Sequence, residues 1–102
     1  MKTLFRGGTV VSARGNRKLD VLVEDERIRA VDGHIEDSEA HVVDVTGKLI
    51  FPGFIDGHTH MDLEVSGTVT ADGFETGTRA ELAGGTTCLI DFATQNRGET
   101  LA

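Results

Sequence analysis

The sequence feature that most constrains the fold is an apolar stretch that leads directly into two histidines. Residues 49–55 are mostly apolar, and His58 and His60 follow within five positions. Side chains alternate between the faces of a strand, so a strand over residues 54–58 predicts that Asp56, His58 and His60 share one face. The apolar character further predicts a strand buried on both faces, as in parallel sheets.

Two imidazoles at positions i and i+2 on one face of a strand can bind a single metal ion. Neutral imidazole nitrogen is a standard zinc ligand. A His-x-His pair alone is a weak motif, but here a predicted buried strand precedes it and a helix-then-strand pattern follows it. Barrels of parallel strands place their chemistry where the strands end. We therefore predict that His58 and His60 are metal ligands.

A helix and a second strand are predicted after the histidines. Asp72 is the predicted N-cap, with Glu75 completing a capping box. The helix is predicted to run from about residue 73 to 83 and to end at Gly84 and Gly85. Its inward stripe recurs every four residues: Phe74, Thr78 and Leu82. The β-branched segment 86–92 is predicted to pair in parallel with the first strand. Cys88 lies in that strand and is predicted to be a buried small hydrophobe.

The first half of the chain predicts short strands in a small, antiparallel-rich sheet. Apolar residues alternate with polar ones over 19–24, a pattern typical of half-buried strands, whereas the polar segment 13–17 predicts a loop. We place a domain boundary at Pro52, which separates domains 1–51 and 52–102.

Composition excludes several classes of protein. Among 102 residues, 17 are acidic and 10 are basic, giving a formal net charge of −7, and no basic cluster suits a phosphate backbone. No stretch approaches the roughly 20 apolar residues of a membrane span. We expect no nucleic-acid or membrane partner and a cytoplasmic protein.

Two segments resemble a known family. The segment 52–60, PGFIDGHTH, resembles the first-strand signature of the metal-dependent amidohydrolases. The segment 77–87, GTRAELAGGTT, followed by IDF at 90–92, is similar to the hydantoinase and dihydropyrimidinase branch. The resemblance implies an α/β fold: part of a small β-sandwich over 1–51, then the first βαβ unit of a TIM-like (β/α)8 barrel. A barrel needs about 250 residues, so we expect a fragment of a longer protein or a truncated gene.

The resemblance also implies an activity, which is hydrolysis of a carbon–nitrogen bond in a cyclic amide. Dihydropyrimidine or hydantoin rings, as small-molecule substrates, would be opened by a metal-activated water. Family members are expected to hold two divalent ions, here expected to be Zn²⁺, bridged by a carboxylated lysine. His58 and His60 would bind one ion, while the lysine and the catalytic base lie beyond residue 102. We therefore expect no catalytic residue in this chain, an inactive isolated fragment, and a homotetrameric full-length protein.

Five further residues are candidates for roles around the metal. Asp56, Asp62 and Asp91 could orient a histidine by hydrogen bonding, although turn or strand-end roles remain open for each. Leu63 and Val65 follow the ligands and are candidates for an apolar substrate pocket, or they could simply pin the loop of residues 61–70 to the barrel. Met61 is predicted to pack beneath that loop.

Several alternative functions remain open at this point. Dihydroorotases typically carry arginine two residues after the second histidine, where this chain has Asp62, which would repel a substrate carboxylate. Allantoinase is a second enzymatic alternative. A non-catalytic dihydropyrimidinase-related assembly protein generally lacks the metal-binding histidines, and a degenerate remnant would be inactive.

Overall fold

The computed structural model describes residues 1–100 in two compact units, Met1–Pro52 and a second that begins at Gly53. The division falls beside Pro52, where the sequence predicts a domain boundary. Along residues 1–100, no helix is long and apolar enough to cross a membrane.

The first unit is built from short strands arranged in two sheets. Its described strands are β1 (Lys2–Arg6), β2 (Thr9–Ser12), β3 (Gly15–Lys18), β4 (Asp20–Glu24), β5 (Arg27–Asp32), β6 (His41–Asp44) and β7 (Leu49–Ile50). The strand orders are β5-β4-β1-β6 and β3-β2-β7. Pairs β1–β4, β4–β5 and β2–β3 are antiparallel, while β1–β6 and β2–β7 are parallel. The prediction of antiparallel-rich strand structure is therefore confirmed.

The core of this unit lies where β1 pairs with β4. Leu4 is fully buried and lies opposite Leu22, while Phe5 lies opposite the buried Val21. Burial of these aliphatic side chains removes apolar surface from water, which is the main driving force for folding. Asp20 at the start of β4 is the polar exception, with 3% of its surface exposed.

The buried Asp20 carboxylate ties two loops to the sheet. One oxygen accepts a hydrogen bond from the Gly7 N–H at 2.9 Å and the other from the Ile35 N–H at 3.0 Å. The Gly7 hydrogen bond, which is the strongest influence, and the Ile35 hydrogen bond lower the pKa of Asp20, although burial opposes them. The carboxylate is therefore compensated despite its burial.

The prediction of a loop over 13–17 holds for the turn at residues 13 and 14 and is wrong for residues 15–17. Gly15–Lys18 forms β3, which pairs with β2 so that Ser12 lies opposite Gly15. All four β3 residues are exposed, so no apolar alternation marks the strand. Backbone pairing across a tight turn, with Gly15 at a φ of 114°, forms it instead.

The second unit contains a strand, a hairpin, a helix and a strand. Its described elements are β8 (Phe54–Thr59), β9 (Glu64–Val65), β10 (Thr68–Val69), α1 (Phe74–Gly84) and β11 (Thr86–Asp91). β8 and β11 pair in parallel, so the predicted βαβ unit is confirmed. β9 and β10 form a hairpin within the predicted loop of residues 61–70. Ser66 and Gly67 have φ values of 50° and 81°, as a two-residue hairpin turn requires.

Burial in the second unit differs from the sequence prediction. Phe54 and Ile55 of β8 are exposed, Ile55 by 69%, and Cys88 in β11 is exposed as well. In the predicted inward stripe of α1, Phe74 and Leu82 are exposed, and the buried helical residue is Gly77. The predictions of a two-sided buried strand, a buried Cys88 and an inward apolar stripe are therefore wrong for this chain. Among the elements described for the second unit, α1 is the one that packs beside the two-stranded sheet.

The helix begins differently from the predicted Asp72–Glu75 capping box. The N-cap is Gly73, and its N–H donates to the Thr76 Oγ1 at 3.2 Å. Glycine has no side chain that could accept a hydrogen bond from the first N–H groups of the helix. An acceptor outside the helix takes that place. Asp62 Oδ2 accepts from the Phe74 N–H at 3.3 Å, where a negative charge also favours the helix dipole. At the other end, Gly85 has a φ of 95° and caps the helix as predicted.

We predict that Asp20→Asn destabilises the first unit by about 1–3 kcal/mol, because one buried N–H loses its charged acceptor. The native pKa of Asp20 lies below its ordinary value of 3.8. The stabilisation is therefore present above that value and is lost as the pH falls through the native pKa. Hydrogen–deuterium exchange of peptides containing Gly7 and Ile35, at neutral and acidic pH, measures this loss of stability. Asp44→Asn is the control, because that carboxylate is exposed and bonds only within its own turn. Unchanged exchange in Asp20→Asn at neutral pH would contradict the prediction.

Candidate metal centre

His58 and His60 converge at the end of β8. His58 lies in the strand, His60 is the first residue beyond it, and both side chains are exposed. Their Nε2 atoms are 3.1 Å apart, and the ring planes meet at 80° with centroids 5.1 Å apart. The i, i+2 spacing thus brings the two rings together as the sequence predicts.

The converging nitrogens fit a metal ion. Two zinc–nitrogen bonds of about 2.0–2.1 Å at a tetrahedral angle place the two nitrogens roughly 3.3–3.4 Å apart, close to the 3.1 Å observed between the two Nε2 atoms. Each imidazole can present its Nε2 lone pair when the proton resides on Nδ1. Within residues 1–100, no group of three or more His, Cys, Asp or Glu side chains is placed to hold a metal. Here the donor set is the histidine pair.

Phe92 packs against both imidazoles. Its ring centroid lies 4.5 Å from that of His58 and 4.9 Å from that of His60, with interplanar angles of 46° and 34°. Phe92 follows β11 directly. The sequence places Phe92 in the predicted second strand and indicates no role for it. Its position next to the strand-end Asp91 is the signal that could have identified it.

Asp91 acts on the backbone around the histidines. Its Oδ1 accepts hydrogen bonds from the Met61 N–H at 3.2 Å and the Phe92 N–H at 2.9 Å. The residue is partly buried and lies opposite Thr59 in the parallel ladder. One carboxylate oxygen therefore joins the chain just after His60 to the chain at the end of β11.

Asp56 contacts the backbone of His58 and a side chain of α1. Its Oδ1 accepts from the His58 N–H at 3.0 Å, and its carboxyl group interacts with the side chain of Glu81 in α1. The ladder shifts register between Leu89 and Asp91, which interrupts strict alternation. That Asp56 shares one face with both histidines stays a prediction.

Met61 and Asp62 attach the segment after His60 to α1. Met61 is only 7% exposed, and a Cβ built on Gly77 would lie 2.7 Å from its Cε. Met61 thus packs beneath the loop, as predicted, in a space that the glycine leaves open. The Asp62 N–H donates to the Asp72 carbonyl at 3.1 Å, and its carboxylate caps α1. The contacts of Asp62 are with the helix and not with an imidazole.

The two pocket candidates lie in different surroundings. Leu63 is half-buried, exchanges hydrogen bonds with Thr70, and lines a cleft of about 370 Å³ together with Asp91 and Phe92. Val65 is exposed in β9 and lines a separate cleft along the hairpin. Leu63 is therefore the candidate that the structure brings close to Phe92.

We predict that Glu81→Gln stabilises the second unit at neutral pH. Burial, followed by the neighbouring Asp56, raises the pKa of Glu81 above its ordinary value of 4.5. A raised acid pKa gives stability that is fully present below 4.5 and is lost as the pH rises through the native pKa. The variant should therefore exceed the parent in melting temperature at pH 8, with a smaller difference at pH 4. Glu64→Gln, on an exposed carboxylate in β9 of the same unit, is the control. A difference that grows as the pH falls would refute the prediction.

Comparison with known proteins adds an independent finding. The D-hydantoinase of Geobacillus stearothermophilus is 46% identical over 101 residues, covering 99% of this chain and 21% of that protein. The dihydropyrimidinase of Dictyostelium discoideum is 48% identical over 99 residues, covering 96% of this chain and 20% of that protein. No protein-family model matches the chain.

Solved structures lead to the same group. The crystal structure of dihydropyrimidinase from Brevibacillus agri superposes with a TM-score of 0.93 at 44% identity, covering 98% of this chain and 22% of that one. The chain thus spans about a fifth of the length of the relatives that it matches. With near-complete coverage of this chain at such identities, it belongs to the D-hydantoinase and dihydropyrimidinase family and corresponds to an N-terminal portion of it.

Proposed function

We propose that the full-length protein containing this chain is a metal-dependent hydrolase that opens dihydropyrimidine or hydantoin rings. The observation that carries the proposal is the convergence of the His58 and His60 Nε2 atoms to 3.1 Å at the end of a parallel strand. The hydantoinase and dihydropyrimidinase activities for which its relatives are named support the substrate class. In this proposal, the first unit is part of the small β-sandwich and the second begins the (β/α)8 barrel.

His58 and His60 would hold one of two divalent ions, which we propose to be Zn²⁺. A metal ion in such a site lowers the pKa of bound water and polarises a carbonyl oxygen. The contribution of this chain is to hold two neutral imidazole donors with their Nε2 atoms directed at one point. Zinc takes four ligands, and the family resemblance assigns the remaining ligands, the bridging lysine and the catalytic base to later parts of the full-length chain.

Two further properties are proposed, the first from the family resemblance and the second from the sequence composition. We propose that the full-length protein is a homotetramer and that it is cytoplasmic. Size-exclusion chromatography with light scattering measures the first, and cell fractionation measures the second. A monomer or a membrane-bound fraction would contradict them.

We predict that His58→Ala or His60→Ala in the full-length protein abolishes measurable hydrolysis of hydantoin and dihydrouracil and lowers the bound metal content. Each change removes one nitrogen donor from the pair. Metal content by elemental analysis and turnover of both substrates are the measurements. His41→Ala is the control, because this exposed histidine lies in the edge strand β6 of the first unit. Full activity in either ligand variant would refute the proposed site.

The isolated chain provides a second arm of that experiment. Several large apolar side chains of the second unit are exposed, among them Ile55, Leu82 and Ile90, and exposed apolar surface of this kind favours aggregation. We expect the isolated chain to aggregate and to hydrolyse neither substrate with added zinc. Robust turnover by the isolated chain would contradict the assignment of the remaining catalytic groups to other parts of the protein.

We predict that Leu63→Ala in the full-length enzyme changes the preference between bulky and small 5-substituted hydantoins. Loss of one apolar contact alters discrimination by about 1–3 kcal/mol, measured as the ratio of kcat/KM values. Val65→Ala is the matched comparison, because Val65 lines the hairpin cleft instead. Equal slowing of all substrates by Leu63→Ala, or only a lower melting temperature, would assign Leu63 a structural role.

A further inference from the structure

Phe92 is the side chain that touches both members of the histidine pair. Its ring centroid lies within 4.9 Å of each imidazole centroid, and both contacts are tilted. Favourable aromatic pairs have ring centroids about 4.5–7 Å apart, and both contacts fall in this range. The three rings form a cluster in which each ring contacts the other two.

The backbone of Phe92 is itself fixed relative to the histidines. Asp91 Oδ1 accepts from the Phe92 N–H and from the Met61 N–H, and Met61 is the residue after His60. Met61 in turn is buried against Gly77 of α1. The backbone of Phe92 and the backbone just after His60 therefore donate to the same carboxylate oxygen.

Exposed imidazoles need such support to stay convergent. His58 and His60 are both exposed, and exposed side chains change rotamer on a picosecond to nanosecond timescale. The carboxylates that could orient the rings by hydrogen bonding have other partners: Asp56 bonds the His58 N–H, Asp62 caps α1, and Asp91 bonds two backbone N–H groups. Apart from the direct contact between the two imidazoles, whose Nε2 atoms are 3.1 Å apart, the described ring contacts of the pair are those with Phe92.

We propose that Phe92 is a positioning residue for the metal ligands, holding the His58 and His60 imidazoles convergent before the metal binds. This inference rests on the proposed metal site and adds a residue to it. Fixing the rotamers beforehand reduces the conformational entropy lost on binding. Removal of the ring should therefore weaken metal binding without removing a ligand.

The test compares variants of the full-length protein after the metal has been stripped with a chelator. Zn²⁺ affinity is measured by competition with a chromogenic chelator, and the visible spectrum of the Co²⁺-substituted protein reports ligand geometry. We expect Phe92→Ala to weaken Zn²⁺ binding about 3- to 10-fold, the range of an aromatic pair contact, and to alter the Co²⁺ spectrum. Phe92→Tyr, which keeps the ring, should restore affinity to within about twofold of the parent.

The matched control is Phe54→Ala. Phe54 lies at the opposite end of β8 from the histidines, and its exposed fraction of 51% is nearly that of Phe92, 49%. Phe54→Ala deletes the same side-chain atoms within the same unit but away from the histidines. Zn²⁺ affinity and the Co²⁺ spectrum should therefore stay at parental values. Circular dichroism verifies folding of each variant, and Phe92→Leu replaces Phe92→Ala if the alanine variant does not fold.

The outcomes separate the two levels of the proposal. If the parent binds Zn²⁺ and His58→Ala weakens binding, but folded Phe92→Ala or Phe92→Leu binds like the parent, the positioning role is overturned and the metal site stands. Equal losses in Phe92→Ala and Phe54→Ala would assign Phe92 a general packing role and also overturn the inference. If the parent does not bind Zn²⁺, or His58→Ala binds it equally well, the metal site and the inference fall together.

Discussion

β8 and β11 pair in parallel from Phe54 opposite Thr86 to Thr59 opposite Asp91, and the candidate metal centre depends on this pairing. It places the two strand ends side by side, so that a carboxylate from one strand reaches the backbone that leaves the other. The register shifts along the ladder break the alternation of side chains. Asp56 consequently interacts with Glu81 of α1, while the imidazoles meet Phe92.

Close approach at glycine positions completes the arrangement. Gly77 lets the helix pass over Met61, and Gly73 leaves room for the Asp62 carboxylate near the start of the helix. A Cβ at Gly77 would crowd the Met61 thioether, and one at Gly73 would lie 3.1 Å from Asp62 Oδ1. These contacts bring α1 against the two residues that follow His60, so helix and histidine pair are positioned by the same short segment.

Local sequence was sufficient to predict what depends on local geometry. The βαβ order, the Gly85 helix end and the convergence of His58 with His60 follow from spacing and propensity alone. The roles of the carboxylates did not, because Asp62, Asp56 and Asp91 bond to groups 12, 25 and 30 positions away, and two of these also bond locally. Burial was mispredicted at Ile55 and Cys88 for a different reason. The apolar character of a side chain shows that it can be buried, whereas its actual exposure depends on which other elements cover the sheet.

The surroundings of Leu63 and Phe92 also bear on the charge of the proposed substrate. The ionisable side chains that line their cleft within the described residues are all acidic: Asp62, Glu64, Asp91 and Glu99. An anionic ring would approach this cleft against a negative field, whereas a neutral ring would not. Asp62 is also held by the start of α1, so the position at which a dihydroorotase carries its arginine serves here to cap a helix. The acidic lining and the capping role of Asp62 both favour a neutral cyclic amide over a carboxylated one.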